Sequence, residues 1–393
     1  MDFTFHIPTK INFGPGTLET LASEKLPGKR ALLVVSAGPT MRKQGYLDRT
    51  IELLKRNNVS CVVFDKILPN PINKHVMEGA AMARAEGCDF VIGLGGGSSI
   101  DAAKSIAVMA VNPGDYWDYI GGGTGKGLPV PNGALPIVAI TTTAGTGTEA
   151  DPWTVITHEE RNEKIGYGLI PETFPTLSIV DPKLMLSVPP HLTAYQGFDA
   201  FFHAAEGVLA NIATPLGDAL ALQSISLIAK WLPTAVNDGA NLEARTQIAL
   251  ANTLSGMVES VSSCTSEHSM EHALSAYHPE LPHGAGLIML SRAYFTYFAG
   301  KTPERVSRMA TAMGVDTHGL DDAQAATAFV NAMVALQTAC GVGGLKMSDY
   351  GIARDDAPKL AANAFANMGG LFTLDPYTLT MEDATQIIAD AWR

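Results

Sequence analysis

The sequence predicts an N-terminal α/β domain on a mostly parallel sheet, residues 1–189, followed by an all-α domain, residues 190–393. Three observations predict it. The first half alternates short apolar runs with helix-spaced segments. The second half carries long amphipathic segments and loses its strand-like runs. Between them stand two adjacent prolines, Pro189 and Pro190. Neither can continue a strand ladder or sit inside a helix, so the pair is a natural boundary. A chain of 393 residues is long enough for two domains of ordinary size.

The apolar runs fall at 31–36 (ALLVVS), 61–65 (CVVFD), 90–94 (FVIGL), 136–141 (PIVAIT) and 177–181 (LSIVD). They are continuous rather than alternating, as strands covered on both faces are. Residues 47–56, 73–86 and 99–111 between them have helical spacing, so the strands read as βαβ units. Segments 153–157 and 164–170, split by the polar stretch HEERNE, read as a hairpin. Beyond 190, helices are expected at 192–211, 216–236, 242–263, 265–277, 303–313, 321–338 and 356–367, packed side by side.

Composition excludes several classes. Hydrophobic residues are 46% and charged residues 17%, which supports a large core and excludes a disordered chain. With 39 acidic against 27 basic residues the net charge is −12, so there is no global basic face for nucleic acid or an anionic membrane. Cys61, Cys88, Cys264 and Cys340 are scattered, without the spacing of a disulfide framework or a thiolate metal site. The N-terminal residues lack the apolar core of a secretion signal, and the longest apolar runs fall short of 18. A cytoplasmic, soluble protein is expected.

Residues 93–101 (GLGGGSSID) follow an expected strand and open an expected helix. Backbone amides freed by glycine at a helix N-terminus cradle phosphate oxygens, which makes the sheet Rossmann-like and nucleotide-binding. The loop departs from the G-x-G-x-x-G fingerprint, because Ser98 stands where its last glycine would be. A tight turn without a ligand would not need three successive glycines. A second polar turn, residues 141–149 (TTTAGTGTE), follows the next strand. Its hydroxyls can serve phosphate or ribose, although a hydrogen-bonded Ser/Thr turn explains the segment equally well on its own. Loops after two strands of one parallel sheet share the edge where open α/β sheets bind ligands. The stretch GGGTGKG at 121–127 imitates a phosphate loop, but Ile120 takes the first glycine position and Gly127 the Ser/Thr position. It reads as a surface loop.

The histidines are uneven. Four of the ten, His268, His272, His278 and His283, fall in one 16-residue window, where an even spread would put fewer than one. Asp199 and His203 are four apart in an expected helix, and His268 and His272 repeat that spacing, so each pair shares a helix face. His283 follows Pro282 in an expected loop. One carboxylate with several imidazoles suits a divalent transition metal such as Fe²⁺ or Zn²⁺, whereas calcium and magnesium prefer oxygen ligands. Asp199 lies on an apolar stretch (AFFHAAEG), where burial without a cation is costly.

Taken together, ILPNPI (67–72), GLGGGSSIDAAK (93–104), TTAGTGTEA (142–150), GFDAFFHAAE (197–206) and HSMEHALSAYHPELPHG (268–284) resemble the iron-containing (group III) alcohol dehydrogenases over nearly the whole chain. The resemblance implies a metal-dependent, NAD(P)-linked alcohol dehydrogenase or aldehyde reductase. Such an enzyme moves a hydride between nicotinamide and a small primary alcohol or aldehyde, in a cleft between two domains. It implies metal ligands at Asp199, His203, His268 and His283, holding Fe²⁺ ahead of Zn²⁺. It implies nucleotide contacts at Asn70, Gly96, Gly97, Ser98, Asp101, Thr142, Thr143, Thr146 and Lys164. His272 matches a position beside the nicotinamide that is not a ligand. Three departures bear on the substrate pocket. The His268–His283 spacing is one residue longer, Phe198, Phe201 and Phe202 make the first ligand helix bulkier, and Trp153 replaces a smaller polar residue.

The residues add to this. His272, one turn from His268, is the candidate catalytic proton carrier, since imidazole titrates near neutrality, and His278 is a second candidate. The strand at 31–36 ends in SAGP without an acid to hold a ribose 2′-hydroxyl, and Arg42 and Lys43 follow, which leans toward NADP over NAD with dual use open. The alternative is a related-fold enzyme acting on a polyol or phosphorylated substrate, like glycerol dehydrogenase or dehydroquinate synthase. Such substrates call for basic residues beside the metal, and the nearest in sequence are Lys183 and Arg292. A non-catalytic metal binder would need no nucleotide cradle. The expected partners are a small-molecule alcohol or aldehyde and further copies of the chain, as a homodimer or larger homo-oligomer, with no nucleic acid and no membrane.

Overall fold

A computed structural model describes residues 2–393, which form two compact units, one Ile7–Ser187 and the other Val188–Arg393 together with the residues before Ile7. In the first, the chain runs through β1 (Lys10–Phe13), β2 (Arg30–Ser36), α1 (Thr40–Lys43), α2 (Tyr46–Arg56), β3 (Ser60–Ile67), α3 (Asn73–Ala85), β4 (Phe90–Gly95), α4 (Gly97–Val111) and β5 (Ile137–Thr141). A hairpin, β6 (Thr154–His158) and β7 (Glu163–Tyr167), and a last strand, β8 (Leu177–Val180), complete it. The six-stranded sheet is parallel throughout, in the order β1-β8-β5-β4-β2-β3, and β6 and β7 pair separately and antiparallel. β4 and β5 are buried at every residue, which is why they read as unbroken apolar runs. β1 was not foreseen, because a four-residue edge strand with a lysine and an asparagine (KINF) carries no apolar run.

Chain direction across the sheet reverses at one place. From β2 the chain moves outward to β3, then crosses back so that β4 pairs with the other side of β2. That reversal makes the carboxyl ends of β2 and β4 the switch point, where open α/β sheets bind ligands. Glycine sets the local geometry. A Cβ on Gly93 would stand 2.8 Å from the Ile100 Cα, so glycine lets α4 pack directly on β4, and Gly95 (φ +149) makes the turn between them.

The stretch 121–127 is turn and coil held by Glu163. The Glu163 carboxylate accepts from the Thr124 N–H (2.9 Å), the Thr124 hydroxyl (2.9 Å) and the Trp117 indole (2.8 Å). Its glycines close a loop on that carboxylate, and no helix follows to complete a phosphate loop.

The second unit is helical: α5 (Pro190–Leu209), α6 (Pro215–Asn237), α7 (Leu242–Ser262), α8 (Ser266–Tyr277), α9 (His283–Lys301), α10 (Pro303–Ala312), α11 (Asp322–Ala339), α12 (Ala357–Phe372) and α13 (Met381–Ala391). Proline opens α5, α6 and α10, where its missing N–H costs nothing. Two findings differ from expectation. His283 is not in a loop but is the first residue of α9, which escaped notice because it is apolar nearly all round and shows no amphipathic stripe. Phe198, Phe201 and Phe202 do not enlarge a pocket wall: all are fully buried, Phe201 stacking on Phe329 of α11 (6.1 Å between centroids) and Phe202 on Phe295 of α9 (6.0 Å). Among the described residues, α6 is the one helix long and apolar enough in composition to cross a membrane, and it packs on α5 and α7.

Candidate active site

Three helices of the second unit bring the proposed ligands together. Asp199, His203 and Glu206 lie along one face of α5, α8 contributes His268, Glu271 and His272, and α9 begins with His283. The Asp199 Oδ1 atom lies 3.7 Å from His203 Nε2, 3.6 Å from His268 Nε2 and 3.5 Å from His283 Nε2. Four donors about 2.1 Å from a tetrahedral metal stand about 3.4 Å apart, so these separations match a shared cation better than direct hydrogen bonds. Among the described residues, Asp199 Oδ1 and His268 Nε2 are buried without a hydrogen-bond partner. Orphaned buried polar atoms are costly, and a metal between them removes the cost. Burial pushes the Asp199 carboxyl upward, but the imidazoles of His203, His283 and His268 outweigh it and hold it at about 2. The donor set fits a divalent transition metal.

A second layer of carboxylates lies behind the imidazoles, and sequence reasoning missed it. Glu206 meets His268 at Nδ1 and also accepts from the Thr265 hydroxyl (2.9 Å), while Glu271 meets His283 at Nδ1. A hydrogen bond at Nδ1 leaves Nε2 unprotonated and aimed at a metal. The signal was present, since each glutamate follows a histidine of its own helix (His203, His268) by three residues. Cys264, set aside as isolated, also enters the cluster, its thiol within 4.8 Å of ligand atoms of His203 and His268. Burial keeps that thiol well above its ordinary value, hence neutral.

His272 is buried beside the ligands, its ring 5.3 Å from that of His283 and 6.4 Å from that of His268. Its Nδ1 contacts the Met368 sulfur, and Met368 sits at a kink in α12 with non-helical backbone (φ −132°, ψ 36°). His278 caps the end of α8, and burial lowers its pKa.

Deeper in the unit, the Asp375 Oδ1 accepts from the Ser266 hydroxyl (3.0 Å) and the Tyr294 hydroxyl (3.2 Å). Burial pushes Asp375 up to about 7. A carboxyl raised in the fold favours the protonated protein, so its stabilising contribution is complete below about pH 4 and lost as pH rises through about 7, on the order of 4 kcal/mol in all. Asp375→Asn keeps both acceptor bonds without the charge. Urea unfolding at pH 5 and pH 8 is expected to show a smaller loss of stability with pH in this variant than in the parent; equal losses would refute the assignment.

On the first unit, loops after β3, β4 and β5 converge. A Cβ on Gly97 would lie 2.4 Å from the Thr146 Cγ2, and one on Gly96 3.0 Å from the Thr143 side chain, so glycine keeps the two loops in contact. Thr142 donates its N–H to the Gly95 carbonyl (2.9 Å), and the Ser98 hydroxyl binds the Pro69 carbonyl beside Asn70. Asp101 turns inward: its Oδ1 accepts from the Thr148 hydroxyl (2.7 Å) and its Oδ2 from the Val155 N–H (2.9 Å). Burial raises its pKa to about 6. Lys164 is buried on β7 opposite Thr157.

Comparison with known proteins carries these features to a family. Residues 8–182 match the model for iron-containing alcohol dehydrogenases, and residues 193–392 match the C-terminal model of the Fe-containing alcohol dehydrogenase family. The chain belongs to the iron-containing alcohol dehydrogenase family. It is an alcohol dehydrogenase. A choline dehydrogenase of Bacillus subtilis is 38% identical over 84% of this chain and 81% of its own length. An NAD-dependent methanol dehydrogenase of Bacillus methanolicus is 32% identical over 98% of this chain and 99% of its own. The crystal structure of an archaeal halo-thermophilic alcohol dehydrogenase from a Red Sea brine pool superposes with a TM-score of 0.94 at 35% identity, covering 100% of this chain and 99% of that one. The two matched segments of this alcohol dehydrogenase correspond to its α/β and helical units.

Proposed function

We propose that this alcohol dehydrogenase interconverts a small primary alcohol and its aldehyde, with Asp199, His203, His268 and His283 holding one divalent metal, iron ahead of zinc. One observation carries the reading: three Nε2 atoms lie 3.5–3.7 Å from one orphaned carboxylate oxygen. When bound, the metal polarises the substrate oxygen and the dinucleotide exchanges the hydride. The rest falls to the chain. Backbone amides at Gly96, Gly97 and Ser98 take the phosphates, Thr142, Thr143 and Thr146 supply hydroxyls from the facing loop, and Asn70 and Lys164 border them. Asp101 acts by positioning, since both its oxygens are engaged within the fold. His272 carries the proton to or from the substrate oxygen.

The cofactor reading is NAD(P), with NADP ahead because β2 ends without an acid. Arg42 adds little to that preference, for it is paired with Asp65 (2.8 Å). A similar methanol dehydrogenase is named as NAD-dependent, which supports dual use. Relatives named for choline and methanol support a small primary alcohol as substrate. We place the enzyme in the cytoplasm as a homodimer or larger homo-oligomer.

Purified protein loaded anaerobically with Fe²⁺ or Zn²⁺ is expected to consume NADPH or NADH with short-chain aldehydes, followed at the nicotinamide absorbance band. Absence of turnover under every pairing would overturn the reading. His272→Ala is expected to retain its metal and lose about 10²- to 10⁴-fold in kcat. Loss of metal from this variant to the extent seen in His268→Ala would remove His272 from the proton-carrying role.

A further inference from the structure

Among the four proposed ligands, His283 is the one least held by the fold. Its side chain is 24% exposed, against 4–5% for Asp199, His203 and His268. It sits at the first position of α9, directly after the chain turns at Pro282, whereas Asp199 and His203 lie inside α5 and His268 lies two residues into α8. A side chain at a helix start is ordered by what touches it, not by turns on both sides.

Glu271 touches it. This residue lies on α8 between His268 and His272, is fully buried, and meets His283 Nδ1 through its Oε2. Room for Glu271 is provided by a glycine on the helix that carries His283. A Cβ on Gly286 would come within 2.7 Å of both the Glu271 Cγ and its Oε1. Position 286 lies in the first turn of α9 and its backbone is not left-handed, so the backbone does not require glycine there, and the space it leaves has a use.

We infer that Glu271 is a positioning residue that makes His283 a metal ligand, seated against α9 by Gly286. This rests on the reading of Asp199, His203, His268 and His283 as the metal-binding set. Accepting the Nδ1–H of His283, Glu271 fixes the tautomer and the ring plane, so that Nε2 faces Asp199 Oδ1 at 3.5 Å. The requirement is for an acceptor at that point in space. Glutamine offers one, whereas alanine does not.

The test measures Zn²⁺ and Co²⁺ affinity by competition with a chelator of known affinity, beside the melting temperature of each metal-free protein. Glu271→Ala is expected to bind metal about 10- to 100-fold more weakly than the parent. Glu271→Gln should stay within a few-fold of the parent, and Gly286→Ala should weaken binding as Glu271→Ala does, since its methyl displaces the glutamate. Co²⁺ in Glu271→Ala should also lose absorption intensity in its visible bands, reporting an altered coordination sphere. Parent affinity in Glu271→Ala would overturn the inference. So would equal losses in the alanine and glutamine variants, which would make charge the requirement. Complete loss of metal, as His283→Ala should show, would make Glu271 a ligand in its own right. If the parent protein itself binds no metal, the four-ligand reading fails instead, and the two failures are told apart.

Discussion

Asp199→Ala is expected to purify without metal and to oxidise alcohols at least about a thousandfold more slowly than the parent, because the several kcal/mol supplied by a Lewis acid at the substrate oxygen disappears with the ion. The reason lies in the geometry and charge of the cluster. Asp199 is the single anion of the proposed set, and its Oδ1 is the point from which His203, His268 and His283 Nε2 are all 3.5–3.7 Å distant. The imidazoles would lose the one anion that all three face, and nothing else in the proposed set would offset the cost of stripping a divalent ion of its water. The helices themselves should stand. Alanine also removes a carboxylate that the surrounding imidazoles hold at about 2, so the metal-free variant should melt somewhat below the metal-free parent at neutral pH, and the shift on adding metal is what isolates the ligand role. Added metal separates the two proteins. At a hundred times the dissociation constant it should stabilise the parent by about 2.7 kcal/mol and leave the variant unmoved. Stoichiometric metal in dialysed Asp199→Ala, measured by elemental analysis, would refute the ligand assignment.

What could be read from the chain, and what could not, follows from how each feature is encoded. Strands β2, β4 and β5 announce themselves because burial on both faces demands unbroken apolar runs, and the loops after β4 and β5 show as polar turns rich in glycine and threonine. Asp199 with His203 and His268 with His272 are legible because helical spacing of four is local. His283 is legible by residue type but not by element, since α9 is apolar on nearly every face and carries no 3.6-residue stripe. The carboxylates at Glu206 and Glu271 lie one helical turn from histidines, but such acids ordinarily face water, and only the packing of α5, α8 and α9 turns them inward. Phe198, Phe201 and Phe202 illustrate the converse. Their bulk is visible in the sequence, while the neighbours that receive it, Phe295 and Phe329, lie far along the chain. Asp101 looks like a ligand contact from its place beside the glycine loop, yet its partners Thr148 and Val155 come from the segment after β5.

That same segment is the subject of the largest stability effect expected in the α/β unit, from Lys104→Met. Lys104 sits two turns into α4, fully buried, with its ammonium 2.7 Å from the Thr148 hydroxyl, 2.9 Å from the Asp151 carbonyl, 3.0 Å from the Asp151 Oδ1 and 2.7 Å from the Trp153 carbonyl. Asp151 is equally buried, its side chain 2% exposed. Methionine fills nearly the same volume but donates nothing, so the Asp151 charge is left in the core without a cation, a change that costs about 3–5 kcal/mol. Burial already raises the Asp151 pKa, and the Lys104 charge is the strongest influence opposing that rise. Without Lys104 the carboxyl moves further up. A raised folded-state pKa means stability lost with increasing pH, so Lys104→Met should be less impaired at pH 5 than at pH 8. Adding Asp151→Asn removes the stranded charge and should recover much of the loss, which a simple cavity effect would not allow. The damage should also reach the nucleotide loop. The Thr148 hydroxyl that accepts from Lys104 donates onward to Asp101, and Gly96 and Gly97 precede Asp101 by barely a turn. Dinucleotide binding should therefore weaken in parallel with stability. A urea midpoint unchanged in Lys104→Met, or a double variant no more stable than the single one, would show that the ion pair does not hold this loop.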